Sequence, residues 1–154
     1  MKQLLVVAHA PSVNTQALVD AALRGARHPD LAGTVAVRHL PPLEATAADV
    51  MAADAIILGT TENLGYMSGA LKDFFDRVYY RVLEEKQGLP CALYIRAGHD
   101  GTGTRRAVQS IVTGLRWSWA QPPLVLRGDW QDDFPAQAEE LGMAVAAGLD
   151  AGIF

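Results

Sequence analysis

A single parallel β-sheet covered by helices on both faces is the fold class that this sequence predicts. Short apolar runs alternate with longer helical patterns along the chain, and three of the runs are nearly continuous. Continuous apolar runs are typical of parallel strands buried on both faces, and parallel strands need crossover connections such as helices. The chain has 154 residues, half of them hydrophobic, so we expect one domain over residues 1–154.

Five apolar runs are the predicted strands. They are Leu4–Ala8, Val35–Val37, Ala55–Leu58, Cys91–Ile95 and Leu124–Leu126. The second run continues into Arg38 and His39, and Pro122 and Pro123 precede the fifth. Polar residues and proline suit edge strands, so these two runs are predicted to form the edges of the sheet.

Four longer segments have helical periodicity, and the one that follows the third predicted strand is the clearest. After Ser68 the apolar residues follow the i, i+3, i+4, i+7 spacing of one buried face. These residues are Leu71, Phe74, Phe75, Val78, Tyr79, Val82 and Leu83. Charged residues take the opposite face, and Gly88 and Pro90 end the helix. The other predicted helices are Thr15–Arg27, Thr104–Trp117, Pro135–Leu149 with Asp132 or Asp133 as its cap, and a short one near Ala45–Ala52.

The predicted order is therefore a strand followed by a helix, five times over. Right-handed crossovers between parallel strands place such helices on both faces of one sheet. Five strands in so short a chain favour a flavodoxin-like three-layer sandwich, with a five-stranded parallel sheet of order 2-1-3-4-5. Ligands of these sheets bind beyond the carboxyl ends of the strands, where three loops meet.

Composition excludes several classes of function. The formal charge is −4, whereas a general nucleic-acid binder would carry a basic stripe. Cys91 is the single cysteine, so no internal disulfide can form and a cytoplasmic location is expected. The first apolar run is too short for the core of a signal peptide, and no segment approaches the length of a membrane span. The four histidines do not form a metal-binding pattern.

The first loop, His9–Thr15, joins the first strand to the first helix. Its side chains lie directly before a helix N-terminus, where free N–H groups and the helix dipole favour an anion. Ser12, Asn14 and Thr15 are therefore predicted to hold a phosphate. Simple capping of the helix by Ser12 or Asn14 is the alternative, and the position after the first strand makes the phosphate the favoured interpretation.

The second loop runs from Thr60 to Met67. Its polar side chains include Thr60, Thr61 and Asn63. Its glycines and the one that opens the next helix are Gly59, Gly65 and Gly69. Glycines let the backbone approach a flat ligand or adopt positive φ, and we predict a ligand ring against this segment. The alternative is a tight turn packed beneath the third helix.

The third loop, Ala97–Gly103, has three glycines around His99 and Asp100. Arg105 and Arg106 follow in the first turn of the next helix, where positive charge is unfavourable against the dipole. Either Asp100 or an anionic ligand is expected to compensate them.

The stretch that begins at Gly65 places this chain beside a known family. Gly65-Tyr66-Met67-Ser68-Gly69-Ala70-Leu71-Lys72-Asp73-Phe74-Phe75-Asp76-Arg77 closely resembles the G-x-M-S-G-x-L-K-x-F-x-D-R stretch of flavodoxin-like NAD(P)H-dependent oxidoreductases. These include the tryptophan-repressor-binding-protein type of NAD(P)H:quinone oxidoreductase. The first loop is similar to the A-H-x-x-S-x-N form of flavodoxin-like quinone reductases, at Ala8, His9, Ser12 and Asn14. The second loop departs from the family, because it lacks the usual proline and has Leu64 in place of an aromatic residue.

The resemblance implies bound FMN, with NAD(P)H as electron donor and a quinone or similar small molecule as acceptor. It implies that the phosphate is held by His9, Ser12, Asn14 and Thr15. It implies that the edge of the isoalloxazine ring is bordered by Thr60, Thr61, Glu62, Asn63, Leu64 and Gly65. It implies that the other side of the ring is covered by Gly98, His99, Asp100 and Gly101.

Three side chains near the implied ring invite chemical expectations. His99 and Tyr66 are the candidates for donating a proton to reduced quinone. Glu62 would disfavour a reduced, anionic flavin if its carboxylate pointed inward.

Two other functions remain open at this point. One is a flavodoxin-type electron carrier, although the acidic residues here are dispersed rather than gathered on one face. The other is a flavin-free interaction protein on the same fold. Trp117 and Trp119 either cover the sheet edge or form a contact between subunits of a homo-oligomer, and Trp130 either walls a second substrate or caps the core.

Overall fold

The computed structural model describes all 154 residues, Met1–Phe154, and has the predicted three-layer α/β architecture. The strands are β1 Lys2–Ala8, β2 Val35–Leu40, β3 Ala55–Asn63, β4 Tyr66–Met67, β5 Pro90–Ala97, β6 Ser118–Trp119 and β7 Leu124–Arg127. The helices are α1 Val13–Ala26, α2 Ala47–Ala52, α3 Gly69–Val82, α4 Thr102–Leu115 and α5 Phe134–Ala151, with a 3-10 turn at Pro29–Leu31. None of the helices is both long and apolar enough to cross a membrane.

The sheet differs from the prediction in its number of strands. It has seven strands, so the five-stranded count was wrong. Five of them lie in the order β2-β1-β3-β5-β6, while β4 pairs with β3 and β7 pairs with β5. β1, β2, β3 and β5 pair in parallel in the predicted arrangement. The two additional strands arise from a hairpin in the second loop and from a divided edge.

The divided edge is the outer side of β5. The short β6 pairs with the start of β5, at Pro90 and Cys91, and β7 pairs with its end, from Tyr94 to Ala97. Pro122 and Pro123 lie between the two short strands and lack the N–H groups that a continuous ladder needs.

The hairpin arises because β3 continues five residues beyond its predicted end at Leu58. Asn63 and Glu62 of β3 then pair with Tyr66 and Met67 of β4 in an antiparallel ladder. Leu64 and Gly65 form the two-residue turn between the strands. The second loop is thus largely regular structure that projects past the carboxyl edge of the sheet.

Two apolar cores lie on opposite faces of the sheet. Alternate residues of β1 show the division: Leu5 and Val7 face α2, α3 and α4, whereas Leu4 and Val6 face α1 and α5. The predicted inner face of α3 is confirmed as far as Val82, where the helix ends ahead of the predicted stop at Gly88, since Phe74 is buried and Lys72 pairs with Asp76 outside. Both cores support the strand ends that carry the site.

Helix α4 ends two residues earlier than predicted. Arg116 takes a left-handed conformation with φ of 58°, which stops the helix at Leu115. Trp117 is buried in the core beside α4, and Trp119 packs against the same core from β6. Trp117 therefore serves the core rather than a contact between subunits. Asp133 occupies the predicted N-cap position of α5, but its side chain makes no capping hydrogen bond.

Candidate functional site

The three loops predicted to form the site do follow neighbouring strands of the sheet. The first loop follows β1, the hairpin extends β3, and the third loop follows β5. Because β1 pairs with β3 and β3 with β5, all three segments lie along one stretch of the carboxyl edge. The His9 amide donates to the Gly59 carbonyl oxygen at 3.0 Å and joins the first loop to β3.

The first loop is closed by a capping box at the start of α1. The Thr15 amide donates to Ser12 Oγ at 3.2 Å, and the Ser12 amide donates to Thr15 Oγ1 at 2.9 Å. Thr15 is buried, and its hydroxyl also donates to the Ser12 carbonyl oxygen. The capping interpretation therefore holds for Ser12, and Thr15 has no side-chain donor left for a ligand.

The outer side of this loop keeps donors free. The amides of Val13 and Asn14 donate to no protein atom, and the exposed Asn14 side chain makes no hydrogen bond. The first turn of α1 contains no acidic residue that would oppose an anion. Partial burial lowers the pKa of His9, so its imidazole is neutral near pH 7. The loop therefore offers neutral donors and a helix N-terminus to an anion.

The Thr60 side chain joins the two ends of the hairpin by hydrogen bonds. This buried side chain accepts from the Ser68 amide at 3.0 Å and donates to the Thr61 carbonyl oxygen at 2.9 Å. Ser68 is also buried and caps α3 by accepting from the Leu71 amide. Thr61 donates to Asn63 Oδ1 at 2.9 Å. Thr60 thus faces protein atoms, while Thr61 and Asn63 reach the surface.

Two left-handed residues form the hairpin turn. Leu64 has φ of 54° and Gly65 has φ of 74°, the combination that a two-residue hairpin turn of this hand requires. Gly65 takes this conformation at little cost, whereas a leucine is strained in it. The Leu64 side chain is fully exposed, so no packing offsets this strain within the chain.

The three glycines of the second-loop region serve different purposes. A Cβ on Gly59 would overlap the buried phenol ring of Tyr94, so internal packing rather than a ligand accounts for this glycine. A Cβ on Gly65 or Gly69 would meet open space. Positive φ explains Gly65 as a turn residue, and Gly69 alone remains unexplained by the protein itself.

Glu62 joins the hairpin to the third loop. Its Oε1 accepts from the His99 amide at 2.9 Å and its Oε2 accepts from the Gly101 amide at 2.8 Å. The carboxylate is therefore directed at the third loop instead of at a ligand ring. No sequence pattern indicated this contact, because the partners lie 37 and 39 residues away.

The third loop leads directly into α4. Gly101 has φ of 70°, and its amide is one of the two bound by Glu62. The Asp100 carboxylate accepts from the Thr102 amide at 3.0 Å, and this hydrogen bond lowers the pKa of Asp100. Arg105 and Arg106 form no ion pair with it or with any other acid of the chain. Asp100 therefore accepts from the first amide of α4, ahead of the N-cap residue Gly101, rather than pairing with either arginine.

Gly103 is a further site residue that sequence reasoning missed. A Cβ at this position would overlap the carbonyl oxygen of Gly65, so the hairpin turn rests directly on the first turn of α4. The alternation of Gly101 and Gly103 at a helix start was the only indication in the sequence. Together with Glu62, this contact makes the hairpin and the third loop one continuous surface.

The two candidate proton donors lie on this surface in different settings. His99 is exposed in the third loop, and its backbone amide is held by Glu62. Tyr66 is 40% exposed on β4 and pairs with Asn63 in the hairpin ladder. Both side chains are open to solvent. Gly98 is exposed at the start of the same loop.

Trp130 lies in the segment after β7 and packs beside Phe134 and Arg96. Its ring meets Phe134 edge-on at 5.5 Å, and the Arg96 guanidinium lies 5.8 Å from its centroid. Arg96 Nη1 also donates to the carbonyl oxygens of Ala97 and Leu126. Trp130 packs against the core beside α5, which accords with the capping role considered for it.

Comparison with known proteins gives a family match over most of the chain. Residues 5–128 match the model of the NADPH-dependent FMN reductase family. A curated relative, a flavodoxin of Aquifex aeolicus (strain VF5), is 34% identical over 116 residues. The match covers 75% of this chain but only 60% of that relative, so the chain spans well under the full length of the relative.

Solved structures share the fold at low sequence identity. A flavodoxin from the domain Archaea superposes with a TM-score of 0.79 at 19% identity and covers 96% of this chain and 98% of its own. A WrbA-like flavodoxin protein from Agrobacterium tumefaciens gives a TM-score of 0.74 at 18% identity, over 97% and 98% of the two chains. At these identities the likeness concerns the fold, and the flavodoxin-like prediction is confirmed at that level.

Proposed function

Because the chain belongs to the NADPH-dependent FMN reductase family, we propose that it binds FMN at the carboxyl edge of its sheet. We further propose that the bound flavin is reduced by NAD(P)H and passes its electrons to a quinone or a similar small acceptor. The observation that carries this proposal is the meeting of the first loop, the hairpin and the third loop along that edge.

The donor set of the first loop fits a phosphate. The unpaired amides of Val13 and Asn14, the Asn14 side chain and the N-terminus of α1 all favour an anion, and no carboxylate stands in the first turn. His9 at the start of this loop can take up a proton beside a dianion. Ser12 and Thr15 would act by shaping the loop, since their hydroxyls bond to each other.

The continuous surface of hairpin and third loop fits one face of a flat ring. The Glu62 bonds and the contact between Gly65 and Gly103 join the two segments, so we expect a ring to lie on them rather than between them. Gly65 and Gly69 present backbone without a side chain, and Leu64 offers an exposed apolar group at the tip.

The flavin would supply the redox chemistry, accepting a hydride equivalent and giving up two electrons. The protein would then contribute position and solvent access rather than strong acids or bases. Exposed His99 and Tyr66 lie on the surface where an acceptor would meet the ring, and either can donate a proton to an oxygen of a reduced quinone.

A binding measurement followed by a turnover measurement tests this proposal. The purified protein is titrated with FMN while flavin fluorescence is followed, and NADPH oxidation is then measured with menadione as acceptor. We expect saturable one-to-one binding, and NADPH oxidation that requires FMN, protein and menadione together. Absence of FMN binding would refute the proposal and favour a flavin-free interaction protein on this fold.

A flavodoxin-type electron carrier is the second candidate, and the name of the curated relative favours it. A carrier would bind FMN with the same residues but would need a separate reductase. The protein would then bind FMN and show no NADPH oxidation with menadione. Addition of a flavodoxin reductase would restore electron flow in that case and would leave a true reductase largely unaffected.

A further inference from the structure

Glu62 is the one acidic side chain that ties two separate parts of the candidate site together. Glu62 lies on β3 and pairs with Met67 in the hairpin ladder. Its two carboxylate oxygens accept hydrogen bonds from the amides of His99 and Gly101. Both bonds are short and join a carboxylate to backbone N–H groups, which makes them stronger than bonds between neutral groups. The third loop has no equivalent tie of its own.

Apart from the Glu62 bonds, the hydrogen bonds of residues 98–101 stay within the loop and the start of α4. β5 pairs with β3 as far as Arg96 and with β7 as far as Ala97, so no strand ladder includes residues 98–101. Gly101 must keep φ of 70° while it fits beside Val125, where a Cβ would crowd the valine side chain. The Asp100 side chain binds only the Thr102 amide, two positions further along the chain.

We propose that Glu62 is a positioning residue that holds the hairpin and the third loop as one preformed surface for the flavin. This inference rests on the proposed function, and it assigns Glu62 a role through the loop rather than through contact with the ring. Without the carboxylate, we expect the third loop to adopt additional conformations in which it no longer lies against the hairpin. The apparent dissociation constant then rises in inverse proportion to the fraction of molecules with the surface intact.

Three variants separate this role from a general effect on folding. Glu62→Ala removes both acceptors, whereas Glu62→Gln keeps one acceptor oxygen and the length of the side chain. Glu140→Gln is the matched control, because Glu140 is exposed on α5 and makes no hydrogen bond. Each variant is compared with the natural chain in the absence and in the presence of FMN.

The first measurement is amide hydrogen exchange of the ligand-free protein by NMR. We expect faster exchange at His99 and Gly101 in Glu62→Ala, an intermediate effect in Glu62→Gln, and unchanged exchange at the amides of β1. Unchanged exchange at both loop amides in Glu62→Ala would overturn the proposal, since the loop would then hold itself.

The second measurement is binding of FMN and of riboflavin, which lacks the phosphate. We expect about tenfold weaker binding of both ligands by Glu62→Ala and a smaller loss by Glu62→Gln, as loss of charge-assisted hydrogen bonds implies. Equal losses for both ligands indicate the ring surface rather than the phosphate loop. The visible circular dichroism of bound FMN should change in Glu62→Ala, because the ring rests on a less ordered loop.

The outcomes distinguish this inference from the proposed function. If the natural chain binds no FMN, the proposed function fails and the inference fails with it. If the natural chain binds FMN and Glu62→Ala binds it within about twofold, the inference alone is overturned. A loss confined to FMN would also overturn it, because Glu62 would then act on the phosphate.

Discussion

The first loop and the third loop each lead a strand into a helix at the same edge of the sheet, but their backbones are satisfied differently. The first loop closes on itself, with Ser12 and Thr15 bonded across three positions. The third loop is held by Glu62 from 37 and 39 residues away. The helix start in the first loop is therefore capped from within the loop, whereas the third loop depends on a side chain of the hairpin.

This difference has a consequence for binding. A loop that caps its own helix leaves its outer amides free, as at Val13 and Asn14, and suits a small anion. A loop held by a distant side chain forms part of a wide surface and suits a flat ligand. Substitutions at six positions test whether the two regions act separately.

The largest effect is expected at Gly103, where the hairpin rests on α4. Gly103→Ala should lower the free energy of unfolding by on the order of 1–3 kcal/mol, because the new methyl group displaces the Gly65 carbonyl oxygen. FMN and riboflavin should both bind more weakly. Urea unfolding and ligand titration measure the two effects.

Gly69→Ala is the matched control, since Gly69 opens α3 and its added methyl group would meet nothing. Its stability should be unchanged or higher, by up to about 1 kcal/mol. If the stability of Gly103→Ala were also unchanged or higher, the contact between the hairpin and α4 would not contribute to the free energy of unfolding. Weaker flavin binding in a stable Gly69→Ala protein would place the ring against Gly69.

The next effect concerns the first loop alone. Asn14→Ala should weaken FMN binding by about 1–2 kcal/mol, the range for a hydrogen bond to a charged group, and should leave riboflavin binding and stability unchanged. Thr15→Ala should instead destabilise the fold by about 0.5–2 kcal/mol, since it breaks the capping box. Calorimetric titration with both ligands checks the first expectation, and thermal unfolding checks the second. Equal losses of FMN and riboflavin in Asn14→Ala would show that the two regions are not separate.

A smaller effect of opposite sign is expected at the hairpin tip. Leu64→Asn should raise the free energy of unfolding by about 0.5–1 kcal/mol, because asparagine tolerates positive φ and suits this turn. Flavin affinity should fall if the leucine covers the ring. A more stable protein with unchanged flavin affinity would mean that Leu64 serves another partner.

The smallest effect is a pH dependence from His9. Its lowered pKa means that the unfolded chain binds a proton more readily, so stability falls as pH drops through the ordinary value near 6.5 and levels off below the folded pKa. His9→Gln should remove this part of the pH dependence in unfolding experiments at pH 5–8. Saturating FMN should reverse its sign, because a phosphate dianion favours the protonated imidazole. The same dependence with and without FMN would separate His9 from the phosphate.

The sequence allowed much of the fold to be predicted because apolar runs and helical spacing reflect local burial. Leu4–Ala8 and the inner face of α3 are examples in which pattern and burial agree. The hairpin escaped prediction because Leu64 is a poor residue for a left-handed turn.

Among the site residues, local contacts could likewise be predicted from the sequence and long-range contacts could not. The bond between Ser12 and Thr15 spans three positions and could be foreseen as a cap, whereas the reach of Glu62 to the third loop depends on the completed sheet. The inward turn of the Thr60 hydroxyl likewise depends on the position of Ser68, which follows the hairpin and caps α3. Side-chain direction at a strand end is set by tertiary contacts that one-dimensional spacing does not contain.

The division of the edge beside β5 into the short strands β6 and β7 has a consequence for association between molecules. A long exposed edge strand offers a row of free N–H and C=O groups on which another molecule can add a strand and begin aggregation. Here that row is cut into pieces of two and four residues by Pro122 and Pro123. The break therefore makes this edge of the sheet a poor template for a strand from another molecule.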